Sequence, residues 1–261
     1  MEVVVVSTPE EAARVAADAY SVLLRDTPSA VLGFATGSTP LPLYRELIRR
    51  HREEGLSFAR ARAFLLDEYV GLPAGHPERY REFIRGELEQ HVDFAADAIV
   101  GPGDLDVAPL DAGPAYEQRI RAAGGIDLQI LGIGSDGHLA FNMPMSSLAS
   151  RTRLKTLTPR TRQDNARFFD GDIDQVPTHC LTQGLATILD SRHAIMLGFG
   201  RGKAQAVREA VEGPLSSRWP ASVLQLHPHA TVVVDDDAAS QLAFAEYYRT
   251  TYAGKPAGQG L

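Results

Sequence analysis

The sequence lacks the features that define several specialised classes of protein. Only one of its 261 residues is a cysteine, Cys180, which excludes an internal disulfide framework and a zinc site built from cysteines. No apolar run approaches the ~20 residues that span a bilayer. The first residues, MEVVVV, also lack the basic start and long apolar region of a signal peptide. These absences predict a cytoplasmic protein with no membrane partner.

An excess of positive charge is missing as well. The formal net charge is -7 and the sequence pI is near 5.6. This balance argues against a general nucleic-acid or membrane-surface binder, although it is compatible with a local cationic pocket. The composition, 44% hydrophobic and 23% charged, is that of a globular domain with a sizeable core.

Apolar strands alternate with amphipathic helices through most of the chain. Strands are predicted over 3–6, 30–35, 62–66, 127–132, 194–199 and 230–234, and helices over 9–25, 39–54, 78–90, 112–122, 175–188, 203–212 and 238–248. This order predicts a single α/β domain, a Rossmann-like layered fold with a mainly parallel sheet flanked by helices. We expect the domain to span 1–252, followed by a flexible, glycine- and proline-rich tail over 253–261.

Four loops follow apolar runs and are candidate ligand sites, because ligands bind at the carboxyl ends of parallel strands. They cover 36–39, 67–71, 132–142 and 198–203.

The first of these loops offers an anion site. Backbone N–H groups of Gly37, Ser38 and Thr39 lie at a predicted helix start, together with hydroxyls that include Thr36. The spacing fits neither a P-loop nor a GxGxxG fingerprint. Lys203, at another helix start, would donate to the same anion. The alternative interpretations are a capped turn and a solvated lysine.

Two other loops carry candidate acid–base groups. Asp67 ends an apolar run, where a carboxylate is solvated, paired or functional, and a partly dry pocket would raise its pKa toward that of a general base. Asp136 and His138 lie two residues apart in GSDGHLAFNM, where the carboxylate would fix the tautomer of a histidine proton shuttle. Helix capping by Asp67 and a structural role for His138 are the alternatives.

A basic segment stands out against the acidic average. It contains Arg151, Arg153, Lys155, Arg160 and Arg162 within a short span. These cations favour a second anion pocket or a charged subunit interface, and a solvated basic loop is the alternative.

Several motifs together resemble those of glucosamine-6-phosphate deaminases, also called isomerases. The most specific are LDEYVGLP, GSDGHLAFN and SSLASRTRLKTLT, and the resemblance extends over nearly the whole chain. 6-Phosphogluconolactonases share the fold but lack this combination. The resemblance implies conversion of glucosamine 6-phosphate and water to fructose 6-phosphate and ammonia, with no metal or organic cofactor.

The resemblance also implies residue roles. Asp67 would move the C2 proton toward C1, and His138, supported by Asp136, would open the sugar ring. The 36–39 loop would hold the phosphate with Lys203 and Arg167, the last assigned by resemblance alone.

Some family members are hexamers activated by N-acetylglucosamine 6-phosphate. Ser146, Arg153, Lys155 and Thr156 match their effector site, which implies a homo-oligomer, with the hexamer as the family precedent. The effector-site tyrosine of those members aligns with Arg249 in this chain.

Met143 departs from the family pattern, which reads FNEP where this chain reads FNMP. Methionine neither accepts a strong hydrogen bond nor stabilises an imidazolium, as the family glutamate would. Three interpretations follow: a deaminase, weakened or not; an enzyme for another sugar phosphate or a lactone; or a non-catalytic sugar-phosphate sensor. Retention of Asp67 argues against the sensor, which has no use for an enolisation base.

Overall fold

The computed structural model describes residues 1–256 and 259–261 of the chain. The strands are β1 Glu2–Val6, β2 Val31–Phe34, β3 Arg62–Leu65, β4 Asp67–Val70, β5 Ile99–Val100, β6 Leu128–Gly132, β7 Arg153–Thr156, β8 His179–Thr182, β9 His193–Gly198 and β10 Ala230–Asp235. The α-helices are α1 Pro9–Asp26, α2 Leu41–Glu54, α3 Tyr80–Glu87, α4 Pro109–Ala122, α5 Pro159–Asn165, α6 Leu185–Leu189, α7 Ala204–Val211 and α8 Ala245–Ala253.

Seven strands form one parallel sheet in the order β1-β10-β9-β6-β2-β3-β5. Helices flank this sheet, and β2, β9 and most of β10 are buried on both faces, as their continuous apolar runs predict. The predicted α/β fold with a mainly parallel sheet is therefore confirmed. No helix among the described residues is long and apolar enough to cross a membrane.

The strand order reverses between β2 and β6. From β2 the chain proceeds through β3 to β5 at one edge, and then returns to β6 and continues through β9 to β10 on the other side. The loops that leave β2 and β6 therefore diverge and open a crevice at the carboxyl ends of the strands.

A second sheet, which the sequence reading missed, adds three short antiparallel strands in the order β4-β8-β7. The segment 67–71 was predicted as a loop, but its first four residues are strand β4. The predicted helix over 175–188 is also wrong, because His179–Thr182 forms strand β8 and only the five residues of α6 are helical. Gly184 sits between them so close to the backbone of Ser150 that a Cβ would lie 2.0 Å from its carbonyl oxygen.

The last helix begins later than predicted. Residues 238–244 form turns, and α8 extends to Ala253, one residue into the predicted tail. Beyond it, Lys255 Nζ lies 2.7 Å from a carboxylate oxygen of Glu2. Residues 257 and 258 of the predicted tail lie outside the described residues, and its flexibility stays a prediction.

Candidate active site

The loop after β2 forms one wall of the crevice. Gly37 has a φ of +93°, which favours glycine, and the Tyr44 hydroxyl donates to the Ala35 carbonyl at 2.5 Å. Helix α2 starts after Pro40 without a side-chain cap, but its Leu41 N–H donates to the Ser38 carbonyl at 3.4 Å and Pro42 has no N–H. The N–H groups of the loop before the helix are therefore the main backbone donors that an anion would meet there. A Cβ on Gly132, at the end of β6, would lie 3.7 Å from Thr39, so the two loops are neighbours. Thr36 and Gly37 are half-buried and Ser38 is exposed.

The loop after β6 carries an acid–histidine pair. His138 Nδ1 lies 2.7 Å from Asp136 Oδ1, which also accepts the His138 backbone N–H at 3.3 Å. Burial acts to raise the pKa of Asp136, but the hydrogen bond and charge of His138 outweigh it and lower that pKa to about 2. Because an ionised carboxylate only accepts, Nδ1 carries the proton and Nε2 is available for chemistry.

Glycines make room for this imidazole. A Cβ on Gly134 would lie 2.2 Å from His138 Nδ1, so no larger residue fits there. Gly137, with a φ of +82°, packs against Trp219, and its carbonyl accepts the Ala221 N–H at 2.8 Å. The glycines in GSDGH therefore allow the turn to form and also leave space for the His138 side chain.

Asp67 is a buried carboxylate at the start of β4, just beyond the carboxyl end of β3. Only 7% of it is exposed, and among the described residues no group donates a hydrogen bond to it. Burial, followed by the nearby charge of Glu68, raises the pKa of Asp67 to about 8. A carboxylate with free lone pairs and a pKa near neutrality has the properties of a general base.

Glu68 is a buried neighbour of Asp67 that was not predicted from the sequence. It is completely buried, and its carboxylate accepts the backbone N–H groups of Tyr69, Tyr80 and Arg81 at 2.9, 3.0 and 3.0 Å. Burial raises the pKa of Glu68, while these bonds and the charge of Arg79 act to lower it. Glu68 thus fixes the start of α3 against β4. The period-two alternation of DEYV, which turns Asp67 and Glu68 to opposite faces, was the available signal.

Cations approach the crevice from two further segments. Lys203 is half-buried behind Gly200, whose N–H is held at 3.0 Å by both carboxylate oxygens of Asp235. Burial lowers the pKa of Lys203. The charge of Asp136 acts to raise that pKa, and the charge of Arg167 lowers it further. The three charged groups are therefore close enough to interact. Arg167 is exposed in the short 3-10 turn Ala166–Phe168.

Met143 lies half-buried at the end of the histidine loop. It packs against an apolar cluster next to β4, formed by Tyr69, Phe141, Leu157, Ala166, Phe169, Val176 and Cys180. Its backbone carbonyl accepts the Ser146 N–H at 3.0 Å. The methionine thus continues an apolar wall where the family pattern has a carboxylate.

The basic segment does not form one patch. Arg153 and Lys155 share the face of the small sheet that carries Asp67, because β7 pairs with β8 and β8 with β4 in register. Lys155 Nζ donates to Ser146 Oγ at 3.1 Å, and burial lowers the pKa of both Arg153 and Lys155. Thr156 is exposed on the other face.

The other three cations of the segment lie outside this pair. Arg151 is paired with Asp190, Arg160 is exposed, and Arg162 donates to the carbonyls of Val176 and Ile173. Among the described residues, no group of three or more His, Cys, Asp or Glu side chains could hold a metal ion.

A family model described as glucosamine-6-phosphate isomerases/6-phosphogluconolactonase matches residues 7–234. The chain belongs to this family. The resemblance drawn from the motifs is thus confirmed at the level of the family.

Relatives within the family match this chain over its full length. Proteins named glucosamine-6-phosphate deaminase from Beutenbergia cavernae and Mycolicibacterium smegmatis are 59% and 58% identical, with each chain covered completely. A solved structure described as a monomeric glucosamine-6-phosphate deaminase is 42% identical, with a TM-score of 0.87, over 92% of this chain and 100% of its own. A 6-phosphogluconolactonase from Trypanosoma cruzi shares the fold at 22% identity, with a TM-score of 0.71 over 93% of this chain and 97% of its own.

Proposed function

We propose that the chain is a glucosamine-6-phosphate deaminase, a hydrolytic enzyme of amino-sugar catabolism. With water, it would convert D-glucosamine 6-phosphate to D-fructose 6-phosphate and ammonia by aldose–ketose isomerisation and deamination. The observation that carries the proposal is Asp67, a buried carboxylate that receives no hydrogen bond from the described residues and has a pKa near 8. Asp67 lies just beyond the carboxyl end of β3, and the hydrogen-bonded pair Asp136 and His138 lies beyond that of β6. Full-length relatives at 58–59% identity that bear this name support it.

The ring opening and the removal of the C2 proton use these groups. His138, held by Asp136, exchanges protons with the ring oxygen and the C1 hydroxyl, which opens the pyranose to an aldehyde. Asp67 removes the C2 proton, which gives an enolamine, and the proton delivered to C1 leaves an imine at C2. Water adds to that carbon and ammonia departs, which leaves the ketone of fructose 6-phosphate.

The phosphate would bind at the loop after β2. Its oxygens accept backbone N–H groups of Gly37, Ser38 and Thr39 and the hydroxyl of Thr36, and Lys203 and Arg167 neutralise the charge. The electrostatic proximity of Lys203 and Arg167 supports this assignment.

The test is whether the purified protein releases ammonia and forms fructose 6-phosphate in equal amounts from glucosamine 6-phosphate. Asp67→Asn should lower kcat by about 10²–10⁴-fold. Asp97→Asn is the matched control, since Asp97 is exposed and its φ of +60° suits asparagine. A native protein that forms neither product refutes the proposal.

Met143 favours a second candidate, an enzyme for a different sugar phosphate. Its apolar wall would reject a substrate group that the family glutamate would bind, and accept one that needs no charge beside it. A panel of hexosamine phosphates with 6-phosphogluconolactone separates these activities. Tight sugar-phosphate binding without turnover on any member would identify a sensor instead.

We also propose an anion pocket at Ser146, Arg153 and Lys155, with N-acetylglucosamine 6-phosphate as its ligand, in a cytoplasmic homo-oligomer. Thr156, which the resemblance also implied, lies on the other face of the small sheet and is left out of this pocket. The hydrogen bond between Lys155 and Ser146 and the burial of Arg153 support a built pocket. Activity measured with and without N-acetylglucosamine 6-phosphate tests the pocket, and sedimentation velocity tests the oligomeric state. A monomer would agree with the solved relative described as monomeric.

A further inference from the structure

The base and the proton shuttle of the candidate site come from different parts of the fold. Asp67 belongs to the small antiparallel sheet, whereas Asp136 and His138 belong to a loop of the large parallel sheet. Their relative position must be held within a fraction of an ångström for both to act on one sugar, because small misplacements are costly in catalysis.

Thr182 touches both parts. It is the last residue of β8 and lies directly opposite Asp67 in the antiparallel register, so both side chains emerge on the same face. The Thr182 hydroxyl accepts the Phe141 backbone N–H at 3.2 Å. Phe141 lies in the loop that begins with Gly134 and carries His138. Thr182 has no exposed surface, so no solvent competes for this bond.

The peptide that follows Thr182 reinforces the link. The Gln183 N–H donates to the Leu66 carbonyl at 2.7 Å, beside Asp67, and the Gln183 carbonyl accepts the Asn142 side-chain amide at 2.8 Å. The Thr182 hydroxyl donates to that same carbonyl at 3.2 Å.

The loop that carries His138 is braced by its own backbone hydrogen bonds, so a contact that fixes one of its residues also restrains the others. The Gly134 N–H donates to the His138 carbonyl at 3.0 Å, and the Asn142 N–H donates to the Leu139 carbonyl at 3.0 Å. Ala140 has a φ of +51°, an unfavourable conformation for alanine that needs support from its surroundings. The bond from Phe141 to Thr182 immediately follows this residue.

We propose that Thr182 is a positioning residue for the reaction, which fixes the loop of Asp136 and His138 against the strand of Asp67. The proposal rests on the proposed deaminase function for its kinetic consequences. Its structural content, the hold of Thr182 on the loop, does not depend on that function.

The test compares Thr182→Val with Thr231→Val. Valine keeps the branched shape and the strand preference of threonine but removes the hydroxyl. Thr231 is equally buried in β10, where its hydroxyl lies 2.9 Å from His193 Nε2 at the opposite end of the parallel sheet. Any general cost of a buried Thr→Val change therefore appears in both variants.

In kinetics, Thr182→Val should lower kcat for glucosamine 6-phosphate about 10- to 100-fold, with KM changed less than about threefold, since the phosphate loop is untouched. Thr182→Ser should recover kcat to within about threefold of the native value, and Thr231→Val should leave it unchanged. In the Asp136→Asn background, Thr182→Val should lower kcat by less than a further factor of about three, because the effect of Thr182 on catalysis passes through the loop that carries Asp136.

Hydrogen–deuterium exchange supplies a readout without catalysis. In Thr182→Val, amides of the segment 139–142 should exchange at least about tenfold faster, while those of β10 stay unchanged. Unchanged exchange there overturns the proposal, and so does full additivity with Asp136→Asn or an equal loss of kcat in Thr231→Val. If the native protein releases no ammonia, the proposed function fails, and exchange still decides whether Thr182 holds the loop.

Discussion

At the scale of single residues, Met143 decides how complete the proposed ring-opening group is. Its thioether cannot stabilise the charged form of His138, so Met143→Glu should raise kcat for glucosamine 6-phosphate, by up to about 10²-fold. The added carboxylate enters an apolar cluster, so thermal stability should fall. Met143→Leu is the matched control, because it keeps the apolar wall. If Met143→Glu has the same kcat as the native protein, the site works without a second carboxylate beside His138.

Asp67 should give the reaction a steep pH dependence. A base with a pKa near 8 is mostly protonated at neutral pH, so kcat/KM should rise as pH increases and level off above about 8. Profiles of the native protein and Asp97→Asn from about pH 6 to about pH 9.5 should coincide and show this rise. A flat profile over that range contradicts the assignment of Asp67 as the base.

The same carboxylate should destabilise the native state. Because the folded pKa of Asp67 is raised, the native protein binds a proton that the unfolded chain has lost between about pH 4 and about pH 8, and stability falls as pH rises through that window. Asp67→Asn should therefore raise the thermal midpoint more at pH 8 than at pH 4. Activity lost with stability gained marks a functional carboxylate, and a loss of both would mark a structural one.

At the scale of elements, the loop between β9 and α7 depends on Asp235. Its carboxylate accepts the N–H groups of Gly200 and Ala238, at 3.0 and 2.8 Å, and so fixes the approach of Lys203. The Gly200 N–H lies 3.0 Å from both carboxylate oxygens, so an amide would place an NH₂ donor against it in place of one acceptor. Asp235→Asn should thus raise KM for the sugar phosphate several-fold, up to about tenfold, with a smaller change in kcat. Asp237→Asn, an exposed carboxylate two residues along, should leave KM unchanged.

Six of the seven strands of the parallel sheet could be predicted from sequence because each is a mostly apolar run next to a capped or amphipathic helix, whereas the two-residue strand β5 was not predicted. Thr8, for instance, accepts the Glu11 N–H at 3.1 Å at the start of α1, as its spacing predicts. The small sheet could not be predicted, because its strands are mixed in polarity and no local apolar run marks them. The short segment His179–Thr182 is paired on one side with β7 and on the other with β4, which lies more than a hundred residues earlier.

The same distinction applies to the candidate site. Asp67, Asp136 and His138 are visible in sequence because each lies at or just beyond the end of an apolar strand. The hydrogen bonds of Glu68 to Tyr80 and of Thr182 to Phe141 are not visible in sequence, because they join residues that lie 12 and 41 positions apart. The role of Arg167 came from resemblance alone, since nothing local marks an exposed arginine in a turn.

At the scale of the whole molecule, the candidate site lies at the carboxyl end of the parallel sheet. Residues at the opposite end should determine how far the free energy of unfolding falls at acid pH. His193, at the start of β9, stacks on His229 with ring centroids 3.7 Å apart. Burial, followed by the charges of His229 and His227, lowers the pKa of His193 to about 3. Between about pH 6.5 and about pH 3, His193 therefore binds a proton in the unfolded chain but not in the native state. The free energy of unfolding falls as pH decreases through this range.

Replacement of this histidine should flatten that dependence. Between about pH 6.5 and about pH 5, His193→Gln should lose about 1–2 kcal/mol less free energy of unfolding than the native protein. Glutamine can still hydrogen-bond to Thr231, which limits the structural cost. Urea unfolding at both pH values measures the difference, and His91→Gln is a control at a histidine that stacks on no other. Equal slopes for His193→Gln and the native protein would place the acid sensitivity elsewhere. Because the candidate site lies at the other end of the sheet, kcat should be retained in both variants.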